Sequence, residues 1–220
     1  MPTITDTKIL FIDIETSASP DCDLFKPTFK EPRTTQKGEM DKRDKSIEEQ
    51  EQNWKSNCAL DPLTGQVLMV GYNYLDESSI DFIKNPALAY EVDEAMLMRM
   101  AVDNITRADL VIGHYLKSFD LPFIINRCRK HGITRPEIGY MSKGRWYWSE
   151  KVIDLRDLWT LGQYNEHISL NNMAKYFGLE PKDEEIGKNF QQVFESDLEK
   201  AIGYCKHDVE LTKEIYNKLK

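Results

Sequence analysis

No stretch of this 220-residue chain approaches the roughly 18 consecutive apolar residues that would span a bilayer. The N-terminus, Met-Pro-Thr-Ile-Thr-Asp-Thr-Lys, lacks the basic-then-apolar order of a secretory leader. Cysteine is sparse and scattered (Cys22, Cys58, Cys128, Cys205), without a CxxC pair, so neither a disulfide framework nor a zinc site is indicated. These absences point to a soluble protein of the reducing cytoplasm with no membrane partner. Positive charge is also short: 29 Lys and Arg against 37 Asp and Glu leave a net charge of −8. Extensive binding to a nucleic-acid duplex sets many basic side chains against phosphates, and this balance argues against it. No internal repeat or low-complexity tract is present.

What the chain does have is an apolar fraction of 40%, enough to bury a substantial core in one domain. Lys8 to Ile14 (KILFIDI) is a nearly continuous apolar run, as in a central strand covered on both faces. Gln66 to Tyr74 predicts a second strand, introduced by the turn Asp61-Pro62-Leu63-Thr64-Gly65. Ser79 to Ile83, Asp109 to Gly113 and Val152 to Leu155 predict further strands. Helices are predicted at Asp93–Ile105, with Met96, Leu97, Met100, Ala101 and Ile105 on one face, at Pro122–Lys130 and at Ser169–Phe177. The last helix is expected to open with the capping box Ser196-Asp197-Leu198-Glu199. Strands followed by alternating helix and strand indicate an α/β layered domain. Lys26 to Asn57 stands apart as an insertion between the first two strands, charge-dense and helix-forming from about Glu39 to Lys55. It reads as a solvated surface helix or as a flap over a cleft.

Chemistry concentrates in a few acids. Asp13 and Glu15 are two apart at the end of the first strand, so both emerge from one face. Like-charged carboxylates at a buried strand end repel and lose hydration, and a divalent cation with oxygen ligands compensates directly. A simple exposed strand terminus is the plainer alternative. Asp120 precedes a helix that Pro122 is expected to open, where an ordinary N-terminal Asp also fits. Asp208 stands inside the last helix, four residues after Tyr204 and on its face, with Leu211 and Ile215 alongside. Partial exposure is expected for it.

Taken together, Asp13-x-Glu15, Asp120, Tyr204 and Asp208 resemble the DEDD superfamily of 3′–5′ exonucleases. Ala59 to Gly65, Val152-Ile153-Asp154-Leu155 and Ser169 to Ala174 add to the likeness, which extends over essentially the whole chain. These segments are typical of stand-alone relatives of the family-B polymerase proofreading domain. The resemblance implies a ribonuclease-H-like α/β fold, with a five-stranded mixed sheet flanked by helices. A Tyr four residues before the last Asp, where the other branch has a His five before, is similar to the tyrosine branch (DEDDy); Gly203 occupies the His position and His207 lies at the wrong spacing. The polymerase-type motif usually carries Asn where Tyr115 stands, which makes substrate preference less transferable than chemistry.

The resemblance further implies two divalent cations, Mg²⁺ or Mn²⁺. Asp13 would bridge both, Glu15 and Asp208 would hold the water-activating ion, and Asp120 would join Asp13 at the second. Tyr204 would orient the attacking water, and nucleoside 5′-monophosphates would leave a strand with a free 3′ end. A metal pair adds about four positive charges at one spot, so the acidic balance does not oppose gripping a strand end. Candidate substrate contacts are Thr16, Tyr115, Lys117, Phe119, Arg145 and Trp146, with single-stranded DNA favoured over RNA. Trp146 and Trp148 could equally pack in the core, as Phe119 could. Lys188, expected in a loop, is either solvated or near a phosphate, and in the flap reading Lys26, Lys30 and Arg33 face phosphates. A polymerase or other replication or repair proteins are the protein partners implied. A ribonuclease-H-like endonuclease and a catalytically silent binding module are the competing readings.

Overall fold

A computed structural model describes residues 7–30, 40–75, 81–84, 93–134, 151–161 and 168–220, the surroundings of side chains 40–45 and 81–84 excepted. Strands β1 (Ile9–Ala18), β2 (Gly65–Tyr74), β3 (Asp81–Lys84), β4 (Leu110–Gly113) and β5 (Val152–Asp154) form one mixed sheet, ordered β3-β2-β1-β4-β5. β2 runs antiparallel to both β1 and β3, whereas β1, β4 and β5 run parallel. The continuous apolar run thus becomes the centre of the sheet, as two-sided burial requires. Leu10, Ile12 and Ile14 pack with α2 (Glu94–Arg107) and α3 (Asp120–Lys130) on one face. Phe11 packs with α5 (Leu170–Phe177) and α8 (Leu198–Leu219) on the other.

Several predicted boundaries shift for local reasons. The third strand is described over Asp81–Lys84, and its predicted start at Ser79 lies outside the described residues. β5 ends at Asp154, whose side chain caps the short helix α4 (Leu155–Thr160) by accepting the Arg156 N–H. On α2 the buried stripe is Leu97, Met98, Ala101, Val102 and Ile105, and Met96 faces solvent. The predicted capping box at Ser196 does not form. Helix α6 (Glu184–Lys188) is followed by α7 (Phe190–Ser196), which runs through Ser196, and the Ser196 hydroxyl donates back to Gln192 O. A residue already in helical conformation cannot take the extended N-cap role, and Asp197 caps α8 instead, accepting the Lys200 N–H at 3.1 Å.

The charged insertion forms helix α1 (Met40–Cys58). Its Glu51 pairs with Lys26, and Gln50 donates to the Lys30 carbonyl, which ties the incoming chain to the helix. Lys26 is therefore engaged within the insertion, and Arg33 lies outside the described residues. Among the described residues no helix is long and apolar enough to cross a membrane.

Candidate metal centre and active site

Period-two alternation on β1 puts Asp13 and Glu15 on the Phe11 face, under α8. Helix α8 crosses there because β2 offers Gly71, where a Cβ would lie 2.7 Å from both Cys205 Sγ and Val209 Cγ2. This close approach brings Asp208 onto the strand end. One oxygen each from Asp13, Glu15 and Asp208 lie within 4.8 Å of one another. Asp208 is 1% exposed, not partly exposed as its sequence neighbours suggested, because Tyr204, Leu211 and Ile215 on its face are buried with it.

The electrostatics are unfavourable in the protein alone. Burial, then the charges of Asp120 and Asp208, raise Asp13 well above the ordinary carboxylate range. Burial, then Asp13 and Asp208, do the same to Glu15. Burial also raises Asp208, against the pull of Lys182. Glu15 Oε1 and Asp208 Oδ1 are buried without any hydrogen-bond partner. Unpartnered anionic oxygens that converge from separate elements form a donor set suited to a hard divalent cation.

Asp120 stands apart from that trio. It is the first residue of α3, not a residue ahead of it, and Pro122 falls in the first turn, where no N–H is needed. Its Oδ1 accepts the Ile14 N–H at 3.0 Å, locking the α3 start to β1. Burial lifts its carboxyl to about 7, the Ile14 bond opposing the shift.

Two residues that sequence reasoning passed over complete the centre. Lys182 Nζ lies 2.8 Å from Asp208 Oδ2 and 5.4 Å from the Tyr204 ring centroid. Burial alone would lower it, but Asp208 and Asp13 outweigh that and hold it above its usual value. Asn171 positions it: its side chain donates to the Lys182 carbonyl at 3.1 Å and accepts the Lys182 N–H at 2.9 Å. The Ser169-Leu170-Asn171 segment was the only sequence signal, and nothing there pointed to a lysine eleven residues on. Tyr204 itself is buried, and burial followed by Asp208 raises its hydroxyl, keeping it protonated. Gly187 lets α6 close over it, since a Cβ there would meet the Tyr204 hydroxyl at 2.5 Å.

The loop to Asp120 is organised by Asp154. Its Oδ1 accepts the Tyr115 and Arg156 N–H groups and its Oδ2 accepts the Lys117 N–H, all near 3 Å. Tyr115 adopts φ 61° and stacks on the Arg156 guanidinium, 4.3 Å from the ring centroid. Lys117 Nζ pairs with Asp157 at 2.9 Å. Phe119 is half-buried, with its ring 5.5 Å from Phe123, and with Thr16 it borders a groove beside the acids. Lys188 lies in α6 rather than a loop and pairs with Glu185 on the surface. Arg145, Trp146 and Trp148 lie outside the described residues.

A mixed sheet in this order, with acids meeting at the end of its central strand, defines a ribonuclease-H-like fold, and a family model of the RNase H superfamily matches residues 58–220. The chain belongs to that superfamily. No curated protein matches it in sequence. Among solved structures it is similar to the family B DNA polymerase from the hyperthermophilic archaeon Pyrobaculum calidifontis, with a TM-score of 0.62 and 16% identity over 97% of this chain. The matched region is 24% of the polymerase chain, so this protein spans about a quarter of that length.

Proposed function

We propose that the protein is a 3′–5′ exonuclease of the tyrosine branch, hydrolysing the terminal phosphodiester of a nucleic-acid strand to release nucleoside 5′-monophosphates. The observation that carries this reading is the convergence of Asp13, Glu15 and Asp208 within 4.8 Å, two of their oxygens buried and unpartnered, beside a buried Tyr204. Asp13, Glu15 and Asp208, with the second oxygen of Asp120, would hold two divalent cations, Mg²⁺ or Mn²⁺. Such cations, when bound, activate water and stabilise the leaving oxygen. Tyr204, kept protonated, donates a hydrogen bond to the attacking water and fixes its approach. Lys182 holds the Asp208 carboxylate in one orientation and offsets part of the acids' repulsion. The Asp154-pinned loop sets Asp120 and Phe119 against the strand end.

The test is hydrolysis of a 3′-labelled single-stranded oligonucleotide by wild type and by Asp13→Ala, with Mg²⁺, with Mn²⁺ and in chelator. Metal-dependent release of mononucleotides by wild type alone is expected, and activity that persists in the variant or in chelator rejects the reading. Circular DNA separates this reading from the endonuclease alternative, because an exonuclease leaves it intact. Tyr204→Phe should lower kcat while metal binding persists.

A further inference from the structure

Cysteine is scattered along the sequence, but the fold brings two of the four thiols together. Cys22 opens a 3₁₀ turn, Cys22–Phe25, that follows β1, and Cys58 is the last residue of α1. Hydrogen bonds between these segments fix their approach. The Ser19 N–H donates to Thr64 O at 2.8 Å, the Thr64 hydroxyl donates to Cys58 O at 3.0 Å, and the Cys22 N–H donates to Ser19 O at 3.0 Å. Each cysteine is thus tied to one partner of the Ser19–Thr64 contact, and the two thiols meet as hydrogen-bond partners. Gly65 keeps the junction tight, since a Cβ there would lie 2.8 Å from Cys58 O. Cys128 and Cys205, both 0% exposed, pack in separate core clusters. Nor do Cys22 and Cys58 belong to a metal site: among the described residues, the one group of three or more potential ligands is Asp13, Glu15 and Asp208. The two thiols are unequal. Cys22 is half-buried and open to a small oxidant, whereas Cys58 is buried, and burial pushes its thiol up.

We propose that Cys22 and Cys58 are a redox modification site, closed by a peroxide into a reversible disulfide that fastens the inserted helix α1 to the end of β1. The Cys22 sulfur attacks a peroxide oxygen, the O–O bond breaks and one water leaves, giving a sulfenic acid. The Cys58 sulfur then attacks the Cys22 sulfur, the S–O bond breaks, and the Cys58 proton leaves in a second water. Two thiols are oxidised to one disulfide while one hydrogen peroxide is reduced to two waters. The bond closes a loop around the whole Lys26 to Asn57 insertion, and long loops gain most from closure. The inference is independent of the nuclease reading. It is tested by exposing the full chain, in saturating Mg²⁺, to graded hydrogen peroxide and counting thiols after denaturation. The count should fall from four to two, with Cys22 joined to Cys58 in a peptide map and both thiols recovered in dithiothreitol. The thermal midpoint should rise by about 5–10 °C on oxidation and return on reduction. Cys22→Ser should keep its other thiols and its midpoint under peroxide. Cys58→Ser should stop at a Cys22 sulfenic acid that dimedone captures; if that buried substitution fails to fold, Cys22→Ser at the more open position still decides. Four thiols that persist at doses oxidising N-acetylcysteine, or a bond between chains or through Cys128 or Cys205, overturns the pair. A Cys22–Cys58 bond that leaves the midpoint unchanged overturns the fastening.

Discussion

Two clusters of buried charge lie on opposite faces of the sheet, and they are built on opposite rules. Under α2 and α3, Glu94 receives Arg127 Nε at 2.7 Å and Nη2 at 2.5 Å, the Val67 N–H at 2.9 Å and His131 Nε2 at 2.7 Å. Burial would raise its carboxyl, but the bonds from Arg127, His131 and Val67 outweigh burial and hold it below its usual value. Under α8, Asp13, Glu15 and Asp208 face one another with Lys182 beside them, and burial raises all three. A satisfied carboxylate holds a fold together, whereas an unsatisfied group of them is stable only when something cationic arrives. The contrast sets Glu94, held by its partners, apart from three acids that want a counter-ion.

The sharpest way to break it is to neutralise one acid on each side. Glu94→Gln strands Arg127, which is 1% exposed, as an uncompensated buried charge and should cost about 3–5 kcal/mol in urea unfolding. Glu15→Gln in metal-free protein removes a repelling charge and should leave stability unchanged or raise it. Equal losses in both variants would erase the distinction.

The next effect is a dependence on metal and pH. Asp120 has a folded value of about 7, above its ordinary 3.8, so its contribution is full at low pH and is lost as pH rises through 7. Asp13, Glu15 and Asp208 shift in the same direction. Metal-free protein should therefore lose stability as pH rises from about 4 through about 7. His114 acts in the opposite sense within that window: burial, then Lys182 and Arg156, lower it to about 4, so it adds stability as pH rises from about 4 to 6.5 and the loss shows most clearly above about 6.5. Glu94, shifted downward, acts only at the acid end, below its ordinary 4.5. Saturating Mg²⁺ at pH 8, at about 100 times its Kd, should return about 2.7 kcal/mol. Read as thermal midpoint, that is a rise of about 5–10 °C. A pH-independent midpoint in chelator would contradict the repulsion.

A smaller effect isolates positioning from charge. Gly187→Ala adds one methyl against the Tyr204 hydroxyl and touches no acid. If the tyrosine's placement matters, kcat should fall about tenfold, within the range that an ångström of misplacement costs. Metal affinity, followed by calorimetry, should stay unchanged; a parallel loss would mean that α6 supports the acids themselves.

The fold was largely readable because its central strand is an uninterrupted apolar run and its helices carry periodic stripes. The charge clusters were readable only in part. Asp13, Glu15 and Asp208 stood out because paired acids on a strand and a mid-helix acid on an apolar face conflict with local rules, but only their order with Asp120 and the Tyr204 spacing singled them out together. Lys182, Asn171 and Asp154 obey local rules, and their roles arise from contacts across 11 to 39 residues that no periodicity encodes. The Glu94–Arg127 pair, 33 residues apart, was missed for the same reason. Ser196 misled because Ser and Asp are equally good caps, and the choice depended on where α7 ended.

The smallest expected effect concerns the backbone on the acid side. Tyr115 holds φ 61°, a left-handed conformation that costs a non-glycine residue about 1–2 kcal/mol and that Asn tolerates better. The resemblance leads one to expect Asn at this position, a residue that tolerates the conformation better than Tyr. Tyr here offsets the strain by stacking on Arg156, worth about 0.5–1 kcal/mol at an exposed site. Tyr115→Asn should therefore change stability by less than about 1 kcal/mol, because relief and loss nearly cancel. The Tyr115 N–H to Asp154 bond is a backbone contact that the substitution keeps. Hydrolysis rates on DNA and RNA strands should then separate what the side chain does from what the loop does. A destabilisation beyond 2 kcal/mol, to be read from denaturant midpoints at about the cost of the left-handed conformation itself, would show that the Arg156 stack rather than Asp154 holds the loop, and that the acid side has a structural cation of its own.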